Sequence, residues 1–315
     1  MDKKDMPRRV FGEALAEYGA SNPDIVVLTA DVSSSVMTTF FAQKVPERFF
    51  NVGVAEAGMI DTAVGFALGG FIPFANTFAG LLLRAVEQIR TCVAYANTNV
   101  KIIGSFAGLS NFKDGPTHHS IMDIAIMRAM PNMAVLVPAD SIEMKKMVPL
   151  VAQHQGPVYL RISRAEMPTI FDENHKVEIG KGVVVRDGGD VTLIANGHMV
   201  SRSLEAADLL SSQGIGARVL NIHSVKPLDA PLVKKCAEET GAVVTVEEHS
   251  IIGGLGSAVA EVLVRECPVP VKMVGVADTF TETAMDFDSL LDHYGMSVKD
   301  IAKAAHQALD LKKKR

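Results

Sequence analysis

The chain is poor in cysteine, has no excess of basic charge, and lacks the short motifs that mark several large enzyme classes. Its three cysteines, Cys92, Cys236 and Cys267, are scattered and odd in number. That argues against a disulfide framework and a zinc site, and fits a reducing cytoplasm. A net charge of −5 at pH 7 offers no basic excess for a polyanion, so no nucleic acid partner is expected. Neither Gly-x-x-x-x-Gly-Lys-Ser/Thr, Gly-x-Ser-x-Gly nor His-Glu-x-x-His occurs, so P-loop ATPase, α/β-hydrolase and zincin readings lapse. The stretch Met1 to Arg9 is charged and has no apolar segment, so no secretory leader is expected. No short tandem repeat is present.

One run raises the question of a membrane. Thr62 to Leu83 holds no charge over 22 residues, long enough to nominate a span. Gly65, Gly69, Gly70, Pro73, Asn76 and Gly80 interrupt it, and Gly69-Gly70 reads as a helix stop before a short strand. A buried helix, turn and strand of a soluble protein is the expectation, with no membrane partner and a cytoplasmic location.

What is present is apolar enough for two domains: 315 residues, 48% hydrophobic. Short β-branched runs alternate with helical patterns throughout. Strands are expected near Ile25–Ala30, Phe50–Val54, Ile72–Ala75, Lys101–Ser105, Ala134–Val137 and Val158–Ile162. The helices between them fall near Phe11–Tyr18, Glu56–Leu68, Leu81–Ala96, Ile121–Ala129 and Ser141–Gln153. After a lapse over Pro168 to Lys181, a second series follows. Its strands are Val191–Ala195, Ala217–Ile222, Ala242–Glu247 and Val271–Val276; its helices lie near Val200–Ser212, Ala230–Thr240, Leu255–Arg265 and Ser297–Leu311. Strands apolar on consecutive residues suit parallel sheets covered on both faces. The expected fold class is α/β, two doubly wound domains over 1–172 and 180–315. The basic end Lys312–Arg315 reads as a solvated tail.

Four polar sites fall at strand ends, where open α/β sheets bind ligands. The densest is Asn111 to Ser120, where Asp114-Gly115-Pro116 builds a tight turn and His118, His119 and Ser120 offer directed hydrogen bonds; a polar surface loop is the plain alternative. Glu56 is a lone carboxyl between apolar segments, able to hold a proton, or simply an acid complementing a helix dipole. Asp31 caps a helix or faces a ligand. Arg164 binds a phosphate or carboxylate bidentately, or forms a surface ion pair. Gly253-Gly254-Leu255-Gly256 superficially suggests a dinucleotide fingerprint. The third small position falls on Val259, however, so close packing at a helix start is the better reading.

Together these residues resemble the thiamine-diphosphate enzymes of the transketolase family. Asp-Gly-Pro-Thr-His at 114–118 carries the likeness. It is supported by Ser163-Arg164 with Met167-Pro168, and by Val246-Glu247-Glu248-His249 ahead of the Gly253 run. The likeness covers essentially the whole chain: a pyrimidine-binding domain over 1–172 and the family's C-terminal domain over 180–315. It implies the C-terminal subunit of a split, two-chain transketolase that moves a two-carbon ketol unit from a ketose (phosphate) to an aldose (phosphate), as in pentose phosphate metabolism. It also implies roles. Glu56 would hydrogen-bond the cofactor's aminopyrimidine ring and, with His118, form the catalytic pair. Phe78 would stack on the pyrimidine, unless it is ordinary core, and Asp31 would lie near the cofactor. Asp114 and His118 would bind sugar hydroxyls, and Arg164 and Arg9 a sugar phosphate.

Four positions depart from the family pattern: Ala55 and Ala57 flank the glutamate, Phe106 stands where a histidine is common, and Leu81 replaces an aromatic. The family's Gly-Asp-Gly stretch followed by Asn, which holds Mg²⁺ and diphosphate, does not occur in this sequence. The resemblance therefore implies a partner, an N-terminal diphosphate-binding subunit. That chain would share thiamine diphosphate and hold Mg²⁺ in a two-plus-two assembly. A 2-oxo acid dehydrogenase beta subunit, a deoxyxylulose-phosphate synthase fragment and a non-catalytic assembly or regulatory subunit are the competing readings.

Overall fold

The computed structural model describes residues 4–314. Met1–Lys3, the start of the charged N-terminal stretch, and Arg315, the end of the basic tail, lie outside the described residues. Two main sheets carry the chain. The first has seven strands, in the order Ser224–Lys226, Ala134–Leu136, Val158–Ile162, Lys101–Ser105, Ile72–Phe78, Ile25–Thr29 and Phe49–Asn51. All pair in parallel except Ser224–Lys226. The second has five, in the order Val271–Val276, Val243–Ser250, Val191–Ala195, Ala217–Asn221 and Val183–Arg186, with only the last antiparallel. A two-residue ladder joins Lys4–Asp5 to Met167–Pro168.

Consecutive apolar residues form strands here because both faces are covered. Val26 and Leu28 enter one core, while Ile25 and Val27 enter another on the opposite face. In the second sheet Leu193 and Ile194 divide in the same way. The helices Glu56–Leu68, Ser141–Gln153 and Ala230–Thr240 have the expected ends. Asp140 caps the second of these and Asp229 the third, each accepting a first-turn N–H. The run near Leu81–Ala96 is not a uniform α-helix: it passes from a 3₁₀ segment at Leu81–Ala85 to a π segment at Ile89–Tyr95. Within the uncharged Thr62 to Leu83 run the helix stops at Leu68 and a strand begins at Ile72, and no helix among the described residues is long and apolar enough to cross a membrane.

The two halves are tied together more closely than two alternating series suggest. Ser224–Lys226, from the second half of the chain, adds an antiparallel edge strand to the first sheet. Beside it, Glu143 is fully buried on the first-half helix. Its Oε1 accepts from Asn221 Nδ2 at 2.8 Å and faces His175 Nε2 and His223 Nδ1, each at 3.0 Å. Its Oε2 accepts the Ala139 N–H at 2.8 Å. Burial alone would push the carboxyl up, but the donors outweigh it and hold Glu143 at about 2. His223 is raised above its ordinary 6.5, because Glu143 overcomes the burial that would lower it.

The signs define a window. A depressed carboxyl stabilises above its ordinary range and loses that contribution as pH falls. A raised histidine stabilises below 6.5 and loses it as pH rises through its folded value. Glu143→Gln is therefore expected to cost about 3 kcal/mol near pH 6 and clearly less near pH 8.5. Chemical denaturation at the two pH values checks this; an equal loss at both contradicts it.

Candidate functional site

The first sheet ends its parallel strands in near register, Thr29 opposite Asn51 and Asn76, and Phe78 opposite Ser105 beside Ile162. The loops that leave these ends therefore share one edge. Asn51 braces two of them. Its Oδ1 accepts the N–H of Asp31 at 3.0 Å and of Gly53 at 3.1 Å, and its Nδ2 donates to Asp31 Oδ1 at 3.1 Å. Gly53 turns with φ +75°, and the helix begins three residues later at Glu56. Asp31 does not cap a helix. It sits exposed in a turn at φ +61°, eight residues before the helix Thr39–Lys44.

The Glu56 side chain is only 3% exposed, and Arg84 Nε lies 3.4 Å from its Oε2, on a side chain that is itself mostly in solvent. Among the described residues the carboxyl accepts no hydrogen bond. A buried acid with unfilled hydrogen-bonding capacity is costly unless a ligand uses it. The cleft described below does not include Glu56.

At the end of strand Ile72–Phe78, Phe78 stacks on Phe106 with centroids 4.2 Å apart and planes at 24°, within a small apolar group completed by Val36, Val32 and Leu81. Phe106 takes a left-handed φ of +59°, uncommon for an aromatic residue. The His118 ring meets Phe78 edge-on at 6.2 Å. Two guanidiniums lie over Phe106, Arg8 at 5.1 Å and Arg164 at 5.2 Å. Arg8 donates to the Ser35 carbonyl at 2.8 Å and Arg164 to Asn111 Oδ1 at 2.6 Å. Neither has a carboxylate partner among the described residues. Burial, and then repulsion from Arg164, lowers the affinity of Arg8 for its proton. Two cations sharing one ring without a counter-charge have the charge and the free donors to take an anion.

Arg9, which the sequence nominates, does not join this group. It is exposed, donates to Glu13 Oε1 at 2.8 Å one helical turn away, and lies over Phe40. Adjacent residues on a helix point about 100° apart, so only one of Arg8 and Arg9 can face the sheet edge. The sequence shows the pair but not the rotation of the helix Pro7–Ala20.

Asp114 is exposed at the tip of the loop, and His118 is half-buried with Nδ1 2.9 Å from Thr117 Oγ1. Gly115, at φ +79°, accepts the N–H groups of His118 and His119 on its carbonyl. The other acids that the sequence singles out, at the end of strand Val243–Ser250, turn out to be structural. Glu247 accepts the N–H groups of Leu255 and Gly256 at 2.7 and 2.8 Å, closing the N-terminus of helix Leu255–Glu266. Burial pushes Glu248 up to about 7, and its Oε1 accepts the Leu109 N–H at 2.6 Å. The glycine run is close packing. A Cβ on Gly254 would sit 2.0 Å from Glu247 Oε2. A cleft of about 760 Å³ lies between the domains, lined by Phe112, Ala165, His198, Arg202 and Phe287 among others, next to Arg164 but apart from Glu56.

Residues 4–169 match the family model described as the transketolase pyrimidine binding domain, and residues 180–301 the transketolase C-terminal domain. The chain is 44% identical over 306 residues to the 6-deoxy-6-sulfo-D-fructose transketolase subunit SqwH of Clostridium sp. (strain MSTE9), covering 97% of this chain and 95% of that one. It is 37% identical to an apulose-4-phosphate transketolase subunit of Phocaeicola vulgatus, over 95% of this chain and 96% of the other. A solved structure described as a split gene transketolase, inactive beta4 tetramer, superposes with a TM-score of 0.90 at 46% identity, over 98% of this chain and 100% of that one. The chain belongs to the transketolase family. Those domains imply thiamine diphosphate, and a buried carboxyl with open hydrogen-bonding capacity, at the same sheet edge as a stacked aromatic pair, fits an aminopyrimidine ring.

Gly254→Ala should destabilise the chain by about 2 kcal/mol, since the new methyl must displace the Glu247 cap. Urea denaturation reads the loss; unchanged stability would contradict the structural assignment of this run.

Proposed function

We propose that this chain is the pyrimidine-binding subunit of a two-chain transketolase. It would work with an N-terminal, diphosphate-binding partner that holds Mg²⁺, in a two-plus-two assembly, and would divide into domains at 1–172 and 180–315. The observation that carries this reading is the buried carboxyl of Glu56, which faces Arg84 and accepts no hydrogen bond among the described residues, a half-site with capacity left for a ligand. The solved structure of a similar chain on its own, a tetramer described as inactive, supports it.

The reaction moves a two-carbon ketol unit. A ketose donor leaves as an aldehyde two carbons shorter, and an aldose acceptor gains those carbons. Thiamine diphosphate, when bound, supplies the electron sink for carbon–carbon cleavage. Glu56 contributes a carboxyl that would hydrogen-bond the aminopyrimidine, and Phe78 an apolar face. Asp31 stands near the same edge. His118 and Asp114, on one loop, hydrogen-bond sugar hydroxyls, with His118 next to Phe78 and so beside the reacting carbons. Arg164 and Arg8 bind the far end of the donor.

The donor class follows from that far end. Phe106 replaces a polar ring with an apolar platform, so recognition there falls on two guanidiniums. That favours a ketose with a strongly acidic terminal group, a phosphate or a sulfonate. The names of the relatives include one of each kind.

Glu56→Ala is expected to lower ketol transfer by the reconstituted complex about a thousandfold or more, with the mass of the complex unchanged. Undiminished turnover would overturn the assignment, and condensation of pyruvate with glyceraldehyde 3-phosphate would move it to deoxyxylulose-phosphate synthesis. Arg8→Ala should raise KM for a ketose phosphate or sulfonate about tenfold or more. Arg9→Ala should stay within about twofold, as for an exposed ion pair. The reverse ranking would contradict the anion site described above.

A further inference from the structure

The second domain reaches the anion site through a loop of its own. Between strand Val271–Val276 and helix Phe287–His293, residues 277–286 lie against the 111–119 loop. Ala284 donates its N–H to the Phe112 carbonyl at 2.9 Å, and a Cβ on Gly115 would meet Thr283 Cγ2 at 2.7 Å. Thr281 is 3% exposed and His119 6%, and Thr281 Oγ1 lies 2.7 Å from His119 Nδ1. On its other side His119 Nε2 lies 3.2 Å from the Asn111 carbonyl, and the Asn111 side chain accepts from Arg164 at 2.6 Å.

The donor directions are fixed by what each atom can do. A carbonyl only accepts, so Nε2 carries the hydrogen, and Nδ1 accepts the Thr281 hydroxyl hydrogen. Burial lowers the affinity of His119 for a second proton, which keeps that arrangement. Arg164 is a donor only, so the Asn111 oxygen must face it. That leaves Asn111 Nδ2 buried without a partner, and the Asn111 oxygen is the side-chain acceptor for that guanidinium among the described residues. The orientation of Arg164 over Phe106 thus depends on where the Asn111 backbone is held. That backbone is held by His119, and His119 by Thr281.

We propose that Thr281 is a positioning residue for the anionic end of the donor, acting from the second domain through His119 and Asn111 on Arg164. This rests on the ketol-transfer reading above. It gives the C-terminal domain a part in substrate selection that its distance from Glu56 does not suggest.

The test uses the complex reconstituted with its partner chain. It compares a ketose phosphate or sulfonate that the wild-type complex turns over with erythrulose, a neutral ketose. Thr281→Val removes the hydroxyl at nearly constant volume. The expected result is a rise of about tenfold in KM for the anionic donor, with kcat within about twofold and the KM for erythrulose unchanged. Thr281→Ser should restore the wild-type KM. An unchanged KM for the anionic donor would overturn the proposal, as would an equal loss with both donors, the mark of a merely structural role. Should Thr281→Val fail to pair with its partner, Thr281→Ala carries the same comparison. A wild-type complex inactive on every ketose would instead refute the ketol-transfer reading, so the two failures are distinguishable.

Discussion

The structure turns on Arg161. Its guanidinium is buried at the end of strand Val158–Ile162. It donates to Asp123 Oδ2 at 2.8 Å, to the Glu248 carbonyl at 2.9 Å and to the Ser120 carbonyl at 3.2 Å. Tyr159 donates to the same Asp123 oxygen at 2.6 Å, and its hydroxyl occupies space that a side chain at position 104 would need. One cation thus fixes the exit of the 111–120 loop, the start of helix Asp123–Ala129 and strand Val243–Ser250 of the second domain. Removing one partner from such a buried set costs about 3–5 kcal/mol, because the remaining charge is stranded. The Glu143 cluster and the Ser224–Lys226 strand repeat the same union elsewhere along the domain boundary.

A rigid domain boundary explains how a site can be built on loops. Glu56, Phe78, Phe106 and Arg164 each follow or end a strand of the first sheet, and each loop is braced from its neighbours rather than by itself. Asn51 ties Asp31 to the turn before Glu56. Glu248 holds Leu109, and Ser110 Oγ accepts the Arg164 N–H at 3.0 Å. The unneutralised pair Arg8 and Arg164 costs stability that such bracing offsets, as is common where a protein prepares for a ligand of opposite charge.

Much of the fold was legible because periodicity reports burial. Val191–Ala195 has the expected ends, since its residues are largely apolar and Asp190 and Asn196 flank it; Lys101–Ser105 also has them, although Val100 and Phe106 on either side are apolar. Ser224–Lys226 was not legible. Three residues after His223 carry no period, and their strand character comes from pairing with Ala134–Leu136 far away in the sequence. The same limit separates the two arginines of Arg161-Ile162-Ser163-Arg164. Both look like strand-end cations, but only the fold shows Arg161 sealed on Asp123 while Arg164 lies over Phe106. Thr281 gave no signal at all, because a single hydroxyl in a loop gains meaning only from the histidine it meets. Arg8 was hidden behind Arg9 by a helix rotation that local sequence does not set.

If this chain is half of an active site, neither it nor its partner can transfer a ketol unit by itself. The measurement is ketol transfer with thiamine diphosphate and Mg²⁺ by the chain alone, by its co-purified partner alone, and by the two together, with the mass of each species recorded. Activity only in the mixture, from a complex of equal numbers of both chains, is the predicted result. Full activity from this chain by itself would contradict it, because the diphosphate and metal ligands would then have to lie within the sequence described here.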